Sequence, residues 1–255
     1  MHINLSGNIA LVTGSRGGIG RAVALRLARS GAKVAMNYLN SKEAAEEAVA
    51  EIRSLGGEAY AFQADVTHVG QAEALVAEVE KAFGGPVTIL VNNAGHLVER
   101  LANAEMTEEL YDKVMNVNMK STVFVSKAVI SGMKAAGQGR IVNMTSVAAH
   151  NGGGPGASIY AASKAAVLSF TKGLAKELAA SGINVNAVSP GFIGQTAFHA
   201  TFTPDDARKA TIKGIPLGRE GTPDDVAGSV LFLVSELSSY LTGETIEING
   251  GMFMR

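Results

Sequence analysis

The chain has 255 residues, 47% hydrophobic and 18% charged, with a formal net charge of −1. This composition excludes a disordered chain and allows one large α/β domain. Without a basic or acidic block, nucleic acid and membrane surfaces are not expected partners. There is no Cys, hence no disulfide, thiol catalysis or thiolate metal site, and a cytoplasmic location is the expectation. Residues 1–7 lack the charged-then-apolar pattern of a signal peptide, and no apolar run reaches the ~20 residues of a membrane span.

Residues 9–12 form a short apolar strand, followed by a Gly-rich turn and a helix over 21–30 that stops at Gly31. Further strands are expected at 32–38, 59–63, 87–91, 140–144, 184–188 and 245–248. Helices are expected at 41–55, 70–83, 107–136 with a break near 116–118, 158–181, 204–213 and 223–236, and a Gly/Pro loop at 147–157. Apolar strands alternating with helices of this length imply a parallel sheet covered on both faces. The expected fold is therefore an α/β, Rossmann-type, doubly wound sheet of about seven strands in a single domain over residues 1–255.

Two stretches repeat a pattern, Thr203-Pro204-Asp205-Asp206 and Thr222-Pro223-Asp224-Asp225. Both read as helix starts, with Thr as N-cap, Pro at the first helical position and acids against the dipole, and not as acid/base or metal pairs. The five His are scattered without ligand spacing, so no metal site is expected.

The turn after the first strand reads Gly14-Ser15-Arg16-Gly17-Gly18-Ile19-Gly20. Glycines there admit backbone N–H groups to a diphosphate, and the helix N-terminus favours its charge. Gly14, Ser15, Arg16, Gly18, Ile19 and Gly20 are the candidate cofactor residues of this turn; an ordinary tight βα turn is the plain alternative. The second strand ends Asn37-Tyr38-Leu39-Asn40-Ser41-Lys42, with no acid to hold the ribose 2′-OH of NAD. NADP(H) is therefore favoured and NAD(H) remains possible. Arg16 and Lys42 can neutralise a 2′-phosphate, and Asn37 and Tyr38 join the candidate cofactor residues.

Tyr160-x-x-x-Lys164 places a Lys one helical turn from a phenol, ~6 Å along the axis. A charge held there favours the phenolate and lowers the Tyr pKa from ~10, which suits proton exchange with an alcohol or ketone. Tyr38 and Lys42 have the same spacing but lie across a turn. Ser146 after the fifth strand, Asn118 near the helix break and Asn92 to Gly95 after the fourth all lie at strand ends, where α/β sheets bind ligands. Singly, each has a structural alternative: a strand end, a helix cap, an amphipathic helix position.

In order, Thr13-Gly14-x-x-x-Gly18-Ile19-Gly20, Asp65-Val66, Asn92-Asn93-Ala94-Gly95, Asn118, Ser146, Tyr160-x-x-x-Lys164 and Pro190-Gly191 make the chain resemble a short-chain dehydrogenase/reductase over essentially its full length. The resemblance implies that Tyr160 is the general acid/base. It implies that Lys164 binds the nicotinamide ribose and lowers the Tyr160 pKa, and that Ser146 hydrogen-bonds the substrate oxygen. Asn118 is implied to hold a water for proton relay. It also implies cofactor contacts from Asp65, Val66, Asn92, Ala94, Gly95, Tyr160, Lys164, Pro190, Gly191 and Ile193.

Ile215-Pro216-Leu217-Gly218-Arg219 and Ile248-Asn249-Gly250-Gly251 are similar to bacterial 3-oxoacyl-acyl-carrier-protein reductases. Gln195 stands where that group carries Thr, and Gly137 and Ser181 stand where it tends to be basic, which leaves the acyl-carrier protein open as a partner. Residues 96–101, 147–157 and a lid at 194–214 with Phe198, His199 and Phe202 are the expected substrate wall. The expected activity is NADP(H)-dependent interconversion of a keto group and a secondary alcohol on a small-molecule substrate, with a 3-oxoacyl thioester as one candidate. A sugar, polyol or other secondary-alcohol dehydrogenase is the alternative within the family; a nucleotide sensor or scaffold without turnover is the alternative outside it. The helices around 119–136 and 158–181 are candidate faces for a twofold mate, with plain core packing as the alternative; the resemblance implies a homo-oligomer, a tetramer or dimer.

Overall fold

The computed structural model describes residues 3–196 and 201–254. Seven strands form one parallel sheet: β1 (Ile9–Val12), β2 (Lys33–Tyr38), β3 (Ala59–Gln63), β4 (Ile89–Asn92), β5 (Gly139–Met144), β6 (Ile183–Pro190) and β7 (Thr245–Ile248). Their spatial order is β3-β2-β1-β4-β5-β6-β7, and every pair is parallel. This is the doubly wound arrangement, with the reversal of strand order between β1 and β4.

The helices alternate with the strands: α1 (Gly18–Arg29), α2 (Lys42–Ser54), α3 (Val69–Phe83), α4 (Glu108–Met115), α5 (Ser121–Ala136), α6 (Ala148–Asn151), α7 (Ser158–Leu178), α8 (Asp205–Lys213) and α9 (Pro223–Val234). Each parallel crossover needs a helix, and α1, α2 and α9 cover one face of the sheet while α3, α5 and α7 cover the other. The strand period of two sorts the core accordingly. Ala10, Val12, Val34, Met36, Ile89, Val91 and Val142 pack under α1, α2 and α9. Ile9, Leu11, Ala35, Leu90 and Ile141 pack under α3, α5 and α7.

Three expectations are corrected. The break near 116–118 is a continuous helix with a π-helical turn at Asn116–Lys120 between α4 and α5. The Asn118 amide donates to Val114 O at 2.9 Å and so satisfies a carbonyl that the wider turn frees. The loop at 147–157 contains the short α6. Of the two Thr-Pro-Asp-Asp stretches only the second caps as read. In the first, the helix starts at Asp205 with Pro204 in the cap position.

At α9, Thr222 Oγ1 accepts from Asp225 N at 3.2 Å while Asp225 Oδ2 accepts from Thr222 N at 2.7 Å, a reciprocal capping box. Arg219 adds two hydrogen bonds to the Asp225 carboxylate, at 2.7 and 3.0 Å, and these hold its pKa well below the carboxylate range. Thr222→Ala is expected to lower stability by about 1 kcal/mol, seen as a lower urea midpoint at unchanged m-value.

Among the described residues, no helix is long and apolar enough to cross a membrane, and no cluster of three His, Asp or Glu could hold a metal ion.

Candidate active site

The candidate residues gather at the carboxyl ends of the strands, around the reversal between β1 and β4, where an open parallel sheet leaves a crevice. The turn after β1 needs its glycines. Gly14 and Gly18 have φ of +60° and +54°. A Cβ on Gly14 would lie 3.0 Å from the Ala94 Cα, and one on Gly20 would lie 2.6 Å from Asn93 Nδ2 and 2.7 Å from Gly14 O.

Two residues absent from the expected site hold this turn against the Asn93-Ala94-Gly95 segment. Thr13 Oγ1 accepts from the Asn93 and Ala94 amides at 3.0 Å, and Asn93 Nδ2 donates to Thr13 O and Gly14 O at 2.9 Å. Their only sequence signal is their place inside motifs beside Gly14 and Asn92. Helix α1 starts at Gly18 with no side-chain cap on Gly17 and no acid in its first turn. Its leading N–H groups are thus left to a ligand, a geometry and polarity that fit a diphosphate. Ile19 is the second residue of that helix.

The side chains of three expected contacts are hydrogen-bonded within the protein. Ser15 is fully buried, with its amide and Oγ on Asn37 O at 2.9 and 3.3 Å. Asn37 donates to Ala64 O at 3.1 Å and accepts from Gly14 N at 3.2 Å. Asn92 donates to Ser126 Oγ and Asn143 Oδ1, both at 2.9 Å, and Asn143 continues to Thr171 Oγ1 at 2.9 Å. Buried amides need partners, and here the neighbouring strands and helices supply them. These side chains shape the groove from within.

At the end of β2, Tyr38 is buried, while Arg16 and Lys42 are exposed at the mouth, with no acid between Asn37 and Lys42. The structure separates Tyr38 and Lys42 as expected: one ends β2, the other opens α2. Beyond β3, Val66 is buried and Asp65 is held by its own turn, accepting from Thr67 N at 2.9 Å and Thr67 Oγ1 at 2.7 Å. Burial pushes the Asp65 carboxyl up, but the Thr67 hydrogen bonds and nearby His68 outweigh it and hold the pKa below the usual value.

The candidate catalytic groups gather around Gly95. A Cβ there would lie 2.7 Å from Asn118 Oδ1 and 2.8 Å from Lys164 Nζ, so glycine leaves the room that both groups use. Lys164 is buried and donates to Met144 O at 2.9 Å, tying α7 to the end of β5. Ser146 follows two residues later. Its Oγ accepts from Ala148 N at 3.2 Å and lies close enough to the Tyr160 phenol to favour the phenolate. Lys164 Nζ stands 5.8 Å from the Tyr160 ring centroid. Asn118 is fully buried and clamps the chain after Gly95, with Nδ2 donating to His96 O at 2.8 Å and Oδ1 accepting from His96 N at 3.1 Å.

The electrostatics differ from the expectation of a depressed phenol. Burial raises the Tyr160 pKa above its ordinary value, and the hydrogen bond with Ser146 lowers it only in part. The Lys164 charge, turned toward Met144 O, is not among the causes. Lys164 itself is lowered to about 8 by burial.

On the β6 side, Pro190 O accepts from Val147 N at 3.0 Å, which locks the Ser146 turn to β6. Gly191 is required by crowding, since a Cβ there would lie 2.6 Å from the Asn249 Cβ. Ile193 is buried, and Thr196 Oγ1 donates back to Ile193 O at 3.0 Å. Thr196 Cγ2 lies 3.6 Å from the Cβ position of Gly18, which brings the chain after β6 over the phosphate turn. No motif named Thr196. Gln195 precedes it with φ +56°. Phe202 meets His96 edge-on, whereas Phe198 and His199 of the expected lid lie outside the described residues.

A family profile described as enoyl-(acyl carrier protein) reductase matches residues 14–253. The 3-oxoacyl-[acyl-carrier-protein] reductase FabG of Staphylococcus epidermidis is 42% identical over 245 residues, 96% of this chain and 98% of that protein. A protein called Nodulation protein G, from Azospirillum brasilense, is 41% identical over 250 residues, 97% of this chain and 99% of its own length. Among solved structures, one from Sinorhizobium meliloti described as a short-chain alcohol dehydrogenase superposes with a TM-score of 0.93 at 34% identity, covering 99% of this chain and 98% of that one. An NADH-dependent reductase of alginate metabolism superposes with a TM-score of 0.90 at 32% identity, covering 98% and 99%. With the doubly wound sheet, the glycine-built phosphate turn and the Ser146–Tyr160–Lys164 cluster, these likenesses show that the chain belongs to the short-chain dehydrogenase/reductase family of NAD(P)-dependent oxidoreductases.

Proposed function

We propose that the protein reduces a keto group to a secondary alcohol with NADPH, and that its substrate is a 3-oxoacyl thioester. The observation that carries this reading is the convergence of the Ser146 and Tyr160 hydroxyls beside the buried Lys164. The nicotinamide, when bound, supplies the hydride. As negative charge grows on the carbonyl oxygen, the two hydroxyls stabilise it and Tyr160 delivers the proton. Lys164, titrating near neutrality, replaces that proton and keeps the phenol from being stranded as an anion. Asn118 holds the segment that leaves Gly95 and, in this reading, the water that connects Lys164 to solvent.

NADPH is preferred because the end of β2 offers exposed Arg16 and Lys42 and no acid. The adenine end falls to Asp65 and Val66, and the nicotinamide end to Ala94, Gly95, Pro190, Gly191 and Ile193. The fatty-acyl assignment is supported by relatives named for acyl-carrier-protein reduction. The reverse reaction, oxidation of a secondary alcohol, is the second reading, and the likeness to a structure described as an alcohol dehydrogenase favours it. We also infer a homo-oligomer, a tetramer or dimer, through α5 and α7.

Initial rates on a panel of 3-oxoacyl thioesters, simple ketones, sugars and polyols, each with NADPH and NADH, test the proposal. The expected profile is highest kcat/KM on 3-oxoacyl thioesters with NADPH. Preference for polyols with NAD would select the alcohol-dehydrogenase reading. Tight NADPH binding without turnover on any compound would select a sensor.

A further inference from the structure

The rim of the site contains a turn that the family motifs do not explain. Val98 has φ +67°, the left-handed region where a β-branched side chain is a genuine outlier. Glu99 N donates to Leu97 O at 2.9 Å, which closes a γ-turn about Val98, the strained hand of that turn. The Val98 amide donates to Nδ1 of His96 at 2.8 Å. His96 is fixed on its other side by the two backbone hydrogen bonds to Asn118. Further on, Leu101 N donates to Gly156 O at 3.1 Å and Arg100 to Pro155 O at 2.9 Å, so the segment bridges from the Gly95 cluster to the loop before Tyr160.

Nδ1 of a histidine stands where Oδ1 of an asparagine stands, two bonds beyond Cβ. Accepting the amide two residues on, it reproduces an Asx-turn. Because Nδ1 accepts, the neutral ring carries its proton on Nε2. Burial lowers the His96 pKa, which keeps that acceptor available near neutral pH. The outer face of the ring meets Phe202 edge-on, with centroids 5.4 Å apart.

The geometry points to His96 as a positioning residue: through its Nδ1 it holds the left-handed turn at Val98, and that turn sets which carbonyl compounds reach Tyr160. This rests on the reductase reading. A turn strained in this way persists only where its surroundings over-determine it, and such strain concentrates at functional sites. The imidazole is the side chain that takes the turn's amide.

Four variants of the full chain test this. His96→Asn keeps the acceptor and loses the ring; His96→Phe keeps the ring edge against Phe202 and loses the acceptor. Val98→Gly removes the strain, since glycine adopts positive φ freely, and His96→Phe/Val98→Gly combines the two. KM and kcat are measured on the best keto substrate, and hydrogen exchange at the Val98 amide is measured without substrate. His96→Asn is expected within about threefold of wild type in kcat/KM, and His96→Phe to raise KM about tenfold at nearly unchanged kcat. In His96→Phe the Val98 amide is expected to exchange at least about tenfold faster, and the double variant to recover most of the lost KM. Wild-type KM and exchange in His96→Phe would overturn the inference. So would His96→Asn as impaired as His96→Phe, because the ring and not the acceptor would then matter. If the wild type reduces no carbonyl compound, the reductase reading falls and the specificity role with it, whereas the exchange result still decides separately whether His96 holds the turn.

Discussion

Tyr160→Phe is expected to bind NADPH with the affinity of the wild type and to lose turnover by about two to four orders of magnitude, the range that a positioned general acid contributes. The substitution removes one oxygen and keeps the ring, so the packing of α7 is preserved. On the proposed mechanism, what disappears is the proton donor to the carbonyl oxygen and one of the two hydroxyls that stabilise the developing charge. Ser146 remains, and it can stabilise but cannot pass on a proton from Lys164. The loss should therefore appear in kcat and kcat/KM together, the signature of an interaction made in the transition state. Single-turnover rates and a fluorescence titration of NADPH separate the two quantities. Activity within a few-fold of wild type would remove Tyr160 from its assigned role.

Lys164→Met is expected to make the cofactor-free protein more stable at pH 7 while abolishing efficient turnover. Lys164 is buried, and its pKa is lowered from 10.5 to about 8, so folding disfavours its charged form. The folded pKa lies below the unfolded value. The cost is therefore fully present below pH ~8 and is relieved as pH rises toward the unfolded value near 10.4. A shift of this size corresponds to ~3 kcal/mol. Loss of the hydrogen bond to Met144 O returns ~1 kcal/mol, so a net gain of ~2 kcal/mol is expected below pH 8. The advantage should shrink steadily between pH 8 and 10. Urea melts of both proteins across that range provide the check, and a variant that is less stable at pH 7, or an advantage independent of pH, would contradict the account. On the proposed mechanism, the lysine is a group kept at a cost in stability because the reaction needs a proton source at that point.

Both predictions concern residues that the sequence already singled out, through the Tyr160–Lys164 spacing and the ordered motifs around it. The sheet was equally legible. Its strands are short continuous apolar runs because both faces of the sheet are buried, and the helices between them keep the 3.6 period of elements with one buried face. The capping box at Thr222 was readable because all its partners lie within four residues.

By itself, then, the sequence determined the parallel doubly wound sheet, the glycine turn for a diphosphate, and the identity and order of Ser146, Tyr160 and Lys164. The tertiary structure alone decided how those groups are used. The π turn at Asn118 depends on a side chain capturing Val114 O and on two hydrogen bonds to His96 across the groove. Asn37 and Asn92 are drawn inward because carbonyls and amides from distant segments surround them. The direction of the Tyr160 shift follows from burial, which helical spacing does not record. The physical reason is the same in each case. Periodicity and motif spacing encode which residues share an element or a strand end, whereas desolvation and hydrogen-bond competition are settled only when residues far apart in the chain are packed together.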